Sequence, residues 1–220
     1  MTVGTQAQTI RILIVDDHPV VREGLSARLA KQPDLEVCGQ TGDFVEALQM
    51  AATLEPDIAI VDLSLKTGHG LELIKRMRAR HPSLRILVWS MYPDSLYAER
   101  VLHAGALGYV NKENATDQII EAIRRLQEGK VFLSEPMAQQ LLSQAATDPS
   151  KFSPLDNLSD RELETFELLG HGMDTLQIAA KMCLSPKTVE TYRARIKEKL
   201  RLHKSAELMQ RAVQWVMENK

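Results

Sequence analysis

Ile10-Arg-Ile-Leu-Ile-Val-Asp-Asp-His18 is an apolar run rich in β-branched residues that breaks abruptly on two carboxylates. A run of this composition suits a strand covered on both faces, as in a parallel sheet. Similar runs recur at Leu35-Glu-Val-Cys38, Ile58-Ala-Ile-Val61, Arg85-Ile-Leu-Val-Trp89 and Tyr109-Val110. Between them apolar residues step by three and four, as in Val20, Val21, Leu25 and Leu29 or Val45, Leu48, Ala51 and Ala52, which places one stripe on a helix. Strand and helix alternating five times predict an α/β doubly wound, five-stranded parallel sheet over 10–128. In open sheets of this kind the functional groups collect beyond the carboxyl ends of the strands.

Further along, the pattern changes. Pro136, Pro149, Pro154 and the polar stretch Ser143-Gln-Ala-Ala-Thr-Asp-Pro-Ser150 predict a linker over 129–156 with a helix in part of 135–145. Residues 157–220 carry only helical periodicity, at 160–170, 174–182, 186–200 and 204–217, which predicts a second, all-α four-helix domain. Ser159 with Glu162 forms the pattern of a capping box, and Ser185-Pro186 reads as N-cap and N1 of the third helix.

The 220 residues hold 27 basic and 29 acidic side chains, with 44% apolar and 25% charged residues, which disfavours a disordered chain or a wholesale polyanion binder. No apolar run approaches the ~18 residues that a membrane helix requires, and Met1 to Thr9 lack the layout of a signal peptide. A cytoplasmic protein that does not associate with membranes is expected. Cys38 and Cys183 lie far apart without zinc spacing, and both are expected to be buried, reduced thiols. Charge is distributed unevenly: 187–204 holds Lys187, Arg193, Arg195, Lys197, Lys199, Arg201 and Lys204 against Glu190 and Glu198. One helix is basic in an otherwise acidic protein.

Asp16 and Asp17 follow the first strand, Asp62 follows the third, Ser90 ends the fourth and Lys112 follows the fifth. Three carboxylates at one rim repel one another, and a hard divalent cation such as Mg²⁺ relieves that repulsion. Together with a hydroxyl and an ammonium, such a set suits acceptance of a phosphoryl group on a carboxylate.

These residues, with Gly70 eight positions after Asp62, resemble the receiver domain of two-component response regulators, a flavodoxin-like fold. The resemblance implies that Asp62 is the phosphoacceptor and that Asp16, Asp17, Asp62 and the backbone carbonyl of Ser64 hold Mg²⁺. It further implies that Ser90 and Lys112 contact the phosphoryl oxygens and that Ser90 with Tyr109 forms the conformational switch. Leu65-Lys66 stands where the family commonly has Met-Pro, which adds a charge near the site; Tyr92, two residues after Ser90, predicts slow dephosphorylation. His18 and His69 are expected to be surface residues.

Residues 158–208 resemble the LuxR/FixJ-type helix-turn-helix, and the whole chain resembles a NarL/FixJ-family response regulator. The resemblance makes 186–200 the recognition helix. It places Glu190, Thr191 and Ala194 toward base edges, and Lys187, Thr188, Tyr192, Arg193, Arg195 and Lys199 toward phosphates or neighbouring edges. Val189, Ile196 and Leu200 read as helix core. Glu190 stands where many relatives have Lys, and a carboxylate can accept from cytosine N4. The implied function is transcription regulation: a sensor histidine kinase or phosphotransfer protein phosphorylates Asp62, which controls homodimerisation and binding to double-stranded DNA. Such a protein catalyses only its own Mg²⁺-dependent phosphorylation and dephosphorylation. The apolar content of 204–217 marks a candidate dimer contact, with packing against its own domain expected to account for about half of these residues.

Three other readings make different demands. A haloacid-dehalogenase-like phosphatase requires Asp-x-Asp after the first strand, whereas here the pair is adjacent. A ligand-sensing LuxR-type regulator should lack the Asp16, Asp17, Asp62 and Lys112 set. A receiver serving only as a protein-binding module would not need phosphorylation.

Overall fold

The computed structural model describes residues 9–113, 117–146 and 154–218; residues 147–153 of the expected linker lie outside the described residues. Contacts divide the chain into two compact units, 1–140 and 141–220.

The first unit is built on strands β1 (Ile10–Val15), β2 (Leu35–Thr41), β3 (Ile58–Val61), β6 (Arg85–Ser90) and β7 (Gly108–Asn111). They pair in parallel in the order β2-β1-β3-β6-β7. Helices α1 (Pro19–Leu29), α2 (Phe44–Leu54), α3 (Gly70–Arg80), α4 (Asp94–His103) and α5 (Asp117–Gln127) connect them. Strand residues alternate between faces. Ile10, Ile12, Ile14, Ile58, Ile60, Leu87 and Trp89 pack with Leu25 and Leu29 of α1 and Ile119, Ile123 and Leu126 of α5. Their neighbours Leu13, Val15, Ala59, Val61, Ile86 and Val88 are buried as well, so the strands are covered on both sides. Each fully buried aliphatic side chain here contributes about 1.5–3 kcal/mol, and this burial fixes the strand ends that carry the polar residues.

Two short strands, β4 (Ser64–Leu65) and β5 (Gly68–His69), pair antiparallel directly after Asp62 and return the chain to the start of α3. Gly70 sits at that return. A Cβ there would lie 2.4 Å from the Asp62 carbonyl oxygen and 2.5 Å from Leu63 Cα, so only glycine lets the helix start against the end of β3. The stretch after α5 continues the packing of this unit. Phe132 bridges to Gly108, its N–H donates to Leu107 and its carbonyl accepts from Tyr109 N–H. Helix α6 (Glu135–Ala146) then begins, with Ser134 Oγ donating to Asp94 Oδ2 at 2.5 Å.

The second unit holds a short 3-10 turn at Pro154–Asn157 and helices α7 (Asp160–Gly170), α8 (Thr175–Lys181), α9 (Pro186–Lys199) and α10 (Ser205–Glu218). The Ser159/Glu162 capping box forms, a second one joins Asp174 to Gln177, and Ser185 caps α9 with Pro186 in its first turn. α10 lies against α7 so closely that a Cβ on Gly170 would meet the Ala212 carbonyl oxygen at 2.5 Å.

Several expectations change here. Cys183 is exposed, not buried, because it ends α8 in a left-handed turn at φ 53° that directs its side chain outward; Cys38 is half-buried, and both thiols are free. His69 is buried because its Nδ1 accepts from Leu71 N–H as the N-cap of α3, whereas His18 is exposed. The apolar stripe of the last helix, by contrast, is as expected used in part inside its own unit: Leu208, Ala212 and Val216 are buried, and the Trp215 and Phe166 ring centroids lie 6.1 Å apart. No helix among the described residues is long and apolar enough to cross a membrane.

Two glycine substitutions should therefore differ in sign. Gly70→Ala should cost about 1–3 kcal/mol through the forced clash. Gly24→Ala in α1, where an added Cβ meets nothing within 4 Å, should gain up to about 1 kcal/mol. Chemical denaturation followed by circular dichroism measures both; equal effects would contradict the close approach at Gly70.

Candidate functional site

β1, β3, β6 and β7 end at one rim, and each delivers a polar side chain there. Asp16 and Asp62 are buried immediately after β1 and β3, and Ser90 is buried at the end of β6. Lys112 follows β7, with its N–H donating to the Ser90 carbonyl, so the strand pairing itself aims the lysine across the rim. Its Nζ donates to Asp16 Oδ2 at 2.5 Å and to Asp62 Oδ2 at 2.6 Å. The same ammonium lies 5.4 Å from the centroid of the Trp89 ring. Burial pushes the Asp62 carboxyl up from its ordinary value; the Lys112 charge and hydrogen bond oppose that, while the Asp16 carboxylate adds to the rise.

Ligand atoms of Asp16, Asp17, His18 and Asp62 all lie within 4.8 Å of one another. Asp17 Oδ1 is a buried oxygen without a hydrogen-bond partner among the described residues. It lies 2.8 Å from His18 Nδ1 without the alignment of a hydrogen bond. Lys66 Nζ stands 3.6 Å from Asp17 Oδ2, so the lysine in the loop after Asp62 does add charge here. Hard oxygen donors with one buried oxygen unsatisfied suit a divalent cation. Ser64 N–H donates to Asp62 Oδ1 at 3.3 Å, which ties the start of β4 to the Asp62 side chain. His18 belongs to this cluster although its spacing from any second metal-type ligand had not marked it; adjacency to the Asp pair was the available signal.

Tyr109 is buried, with Oη donating to the Tyr92 carbonyl at 2.7 Å, where Asn111 Nδ2 also donates. Tyr92 N–H in turn points to Ser90 Oγ at 3.5 Å, so Ser90, Tyr92 and Tyr109 form one connected segment. The Tyr92 ring is stacked on Tyr97 at 4.7 Å, and is packed there instead of standing loose at the rim.

In the second unit, α8, the turn and α9 form a helix-turn-helix. Val189 and Ile196 are buried and Leu200 is half-buried, as a helix core requires. Lys187, Glu190, Thr191, Ala194 and Arg195 are exposed, whereas Thr188, Tyr192 and Arg193 are half-buried. Arg193 Nη1 donates to Glu190 Oε1 at 2.9 Å and to Thr175 Oγ1 at 2.5 Å. Lys199 Nζ donates to Glu162 Oε2 at 2.7 Å and to the Asn157 carbonyl at 3.0 Å, which ties the end of α9 to the cap of α7. Thr175 and the Glu162 to Lys199 pair escaped the sequence reading, because the partners lie 15 and 37 residues apart.

Residues 12–124 match the response regulator receiver domain, and residues 156–212 match the bacterial regulatory proteins of the luxR family. Response regulator GacA of Pseudomonas aeruginosa is 34% identical over 204 residues, 93% of this chain and 95% of GacA. The chain belongs to the NarL/FixJ family of response regulators. The oxygen regulatory protein NreC of Staphylococcus epidermidis is 36% identical over 93% of this chain and 97% of NreC. Among solved structures, the RcsB response regulator of Salmonella typhimurium is similar with a TM-score of 0.68 at 27% identity, covering 94% of this chain and 98% of RcsB. Another RcsB structure, bound to the promoter rprA in the presence of phosphomimetic BeF3-, gives 0.63 at 26% identity over 92% and 98%. This response regulator thus joins a receiver to a LuxR-type DNA-binding domain, in a family of transcriptional regulators and not of conventional enzymes.

Burial pushes the Glu162 carboxyl up, but the Lys199 ammonium and the Ser159 groups outweigh it and hold it below its ordinary 4.5. The resulting stabilisation is present above pH 4.5 and is lost as pH falls through the lower folded-state value. Acid titration should therefore destabilise the helical unit below that range, and Lys199→Met should flatten the dependence. Trp215 fluorescence in a Trp89→Phe background measures it; an unchanged profile in Lys199→Met would count against the pair.

Proposed function

We propose that phosphorylation of Asp62 by a sensor histidine kinase or phosphotransfer protein controls homodimerisation and sequence-specific binding to double-stranded DNA. The single observation that carries this reading is the Lys112 ammonium shared between the Asp16 and Asp62 carboxylates, with Ser90 on the adjoining strand end. In this reading 10–128 acts as the receiver, 129–156 as the connection and 157–220 as the DNA-binding domain, working in the cytoplasm.

An oxygen of Asp62 attacks the phosphoryl group as its bond to the donor nitrogen breaks. Lys112 already reaches that carboxylate and follows the developing charge, and the Ser90 hydroxyl donates to a phosphoryl oxygen. Asp16, Asp17, Asp62 and the Ser64 carbonyl would hold Mg²⁺, which supplies positive charge against a phosphoryl group that otherwise enters a cluster of carboxylates. Drawing Ser90 toward the phosphoryl group pulls on Tyr92 N–H, and through the Tyr92 carbonyl on Tyr109. A bound group shifts such an equilibrium only by its differential stabilisation of the two states.

For the output, Lys187 and Arg195 are exposed cations on α9 suited to phosphates, with Thr188, Tyr192, Thr191 and Ala194 along the same helix. The RcsB structure bound to promoter rprA in the presence of phosphomimetic BeF3- supports extending this role to the present chain.

Selection from random duplexes with the full chain, with and without beryllofluoride and Mg²⁺, tests the reading directly. Wild type should enrich a two-fold site more strongly with the mimic, and Asp62→Asn should not respond. Equal enrichment in every sample would remove Asp62 from control of DNA binding. The Trp89 ring beside Lys112 offers a second readout: its fluorescence should change on adding the mimic in wild type and stay constant in Asp62→Asn.

A further inference from the structure

α9 presents two faces. Val189 and Ile196 are buried, with Tyr192 and Arg193 half-buried beside them. Lys187, Glu190, Thr191 and Ala194 are exposed at i, i+3, i+4 and i+7, so they form one stripe on the other side. In a helix-turn-helix, residues of this kind near the start of the second helix meet base edges in the major groove. Glu190 stands in the middle of that stripe, an anion on a surface that must approach a polyanion.

Its environment accounts for its presence there. Glu190 Oε1 accepts from Thr175 Oγ1 at 2.6 Å and from Arg193 Nη1 at 2.9 Å, and Arg193 Nη1 also donates to Thr175 Oγ1 at 2.5 Å. Thr175 belongs to α8, so the triangle spans both helices of the motif. Arg193 compensates the carboxylate charge, which lowers the repulsion from nearby phosphates. Both bonds fall on Oε1; Oε2 takes none among the described residues, and the Glu190 side chain is 57% exposed, open to a partner from outside.

We propose that Glu190 is a specificity-determining residue that selects cytosine in the major groove, held in position by Thr175 and Arg193. An ionised carboxylate only accepts hydrogen bonds. Cytosine offers its N4 amino donor with no adjacent acceptor; adenine offers N6 beside the N7 acceptor; guanine presents two acceptors and thymine presents O4. The free oxygen therefore favours cytosine, tolerates adenine less well and repels guanine and thymine. Arg193, with its guanidinium engaged on this triangle, is a positioning residue and not a phosphate contact. The proposal rests on the DNA-binding reading above and deepens it.

The test is random-duplex selection with full-length wild type, Glu190→Gln and Thr175→Val, each checked for fold by circular dichroism. Wild type should select cytosine at one position in each half-site by roughly tenfold over guanine. Glu190→Gln should move that position to adenine, because an amide can bond N6 and N7 together. Thr175→Val should keep the site but narrow the preference to about twofold to threefold, as expected when the carboxylate is less well held. A selected sequence that is unchanged in Glu190→Gln, with only uniformly tighter binding, would overturn the proposal and leave Glu190 as a general electrostatic brake. Enrichment of no sequence by wild type would overturn the DNA-binding reading itself, a distinguishable failure.

Discussion

The ammonium of Lys112, held between the carboxylates of Asp16 and Asp62, is the contact on which the receiver is organised. Buried carboxylates in a low-dielectric rim are costly unless a positive charge lies within reach. That charge comes from the far side of the molecule's sequence, 96 and 50 residues from its two partners. It can arrive only if β7 is in register at the sheet edge beyond β6, where Lys112 N–H bonds the Ser90 carbonyl. The apolar layers on both faces of the sheet therefore serve the chemistry indirectly: they fix strand ends to a precision that side-chain hydrogen bonds demand.

The same constraint explains the local structure around Asp62. The chain has to leave β3, form the small β4 and β5 hairpin and start α3 almost in contact with the Asp62 carbonyl, which is why position 70 has no side chain. Ser90, Tyr92 and Tyr109 form one connected segment, through a 3.5 Å contact from Tyr92 N–H to Ser90 Oγ and a 2.7 Å bond from Tyr109 Oη to the Tyr92 carbonyl. In the helical unit the corresponding role falls to Glu162, which caps α7 and takes Lys199 from the end of α9. One carboxylate thereby sets both a helix start and the placement of the helix that carries the exposed stripe. Lys199, grouped by sequence with the phosphate-facing cations, has a partner within its own unit.

Much of the receiver was legible in the chain because its signals are local. A buried parallel strand declares itself by continuous apolar residues, and Asp16, Asp17, Asp62, Ser90 and Lys112 each follow such a run, so their shared rim could be deduced from topology alone. Caps at Ser159 and Ser185 were equally readable, since the bonding partner lies three residues away. Cys183 and His69 were misread for the opposite reason. An apolar neighbourhood in sequence says nothing about a left-handed turn that swings one residue outward, nor about a histidine drawn inward to cap a helix. The apolar stripe of α10 was legible but its division was not: packing within its own unit takes Leu208, Ala212 and Val216, about the share that the sequence assigned to it.

The sequence by itself determined the two-part architecture, the order of elements, the family and the rim at which the carboxylates meet, because periodicity and strand-end position are properties of consecutive residues. Tertiary structure alone decided which charges are paired. Whether Arg193 and Lys199 are free cations or are committed to Glu190, Thr175 and Glu162 depends on distances across a turn or between helices. Such distances follow from the three-dimensional packing of apolar faces, and no spacing within a single helix encodes them.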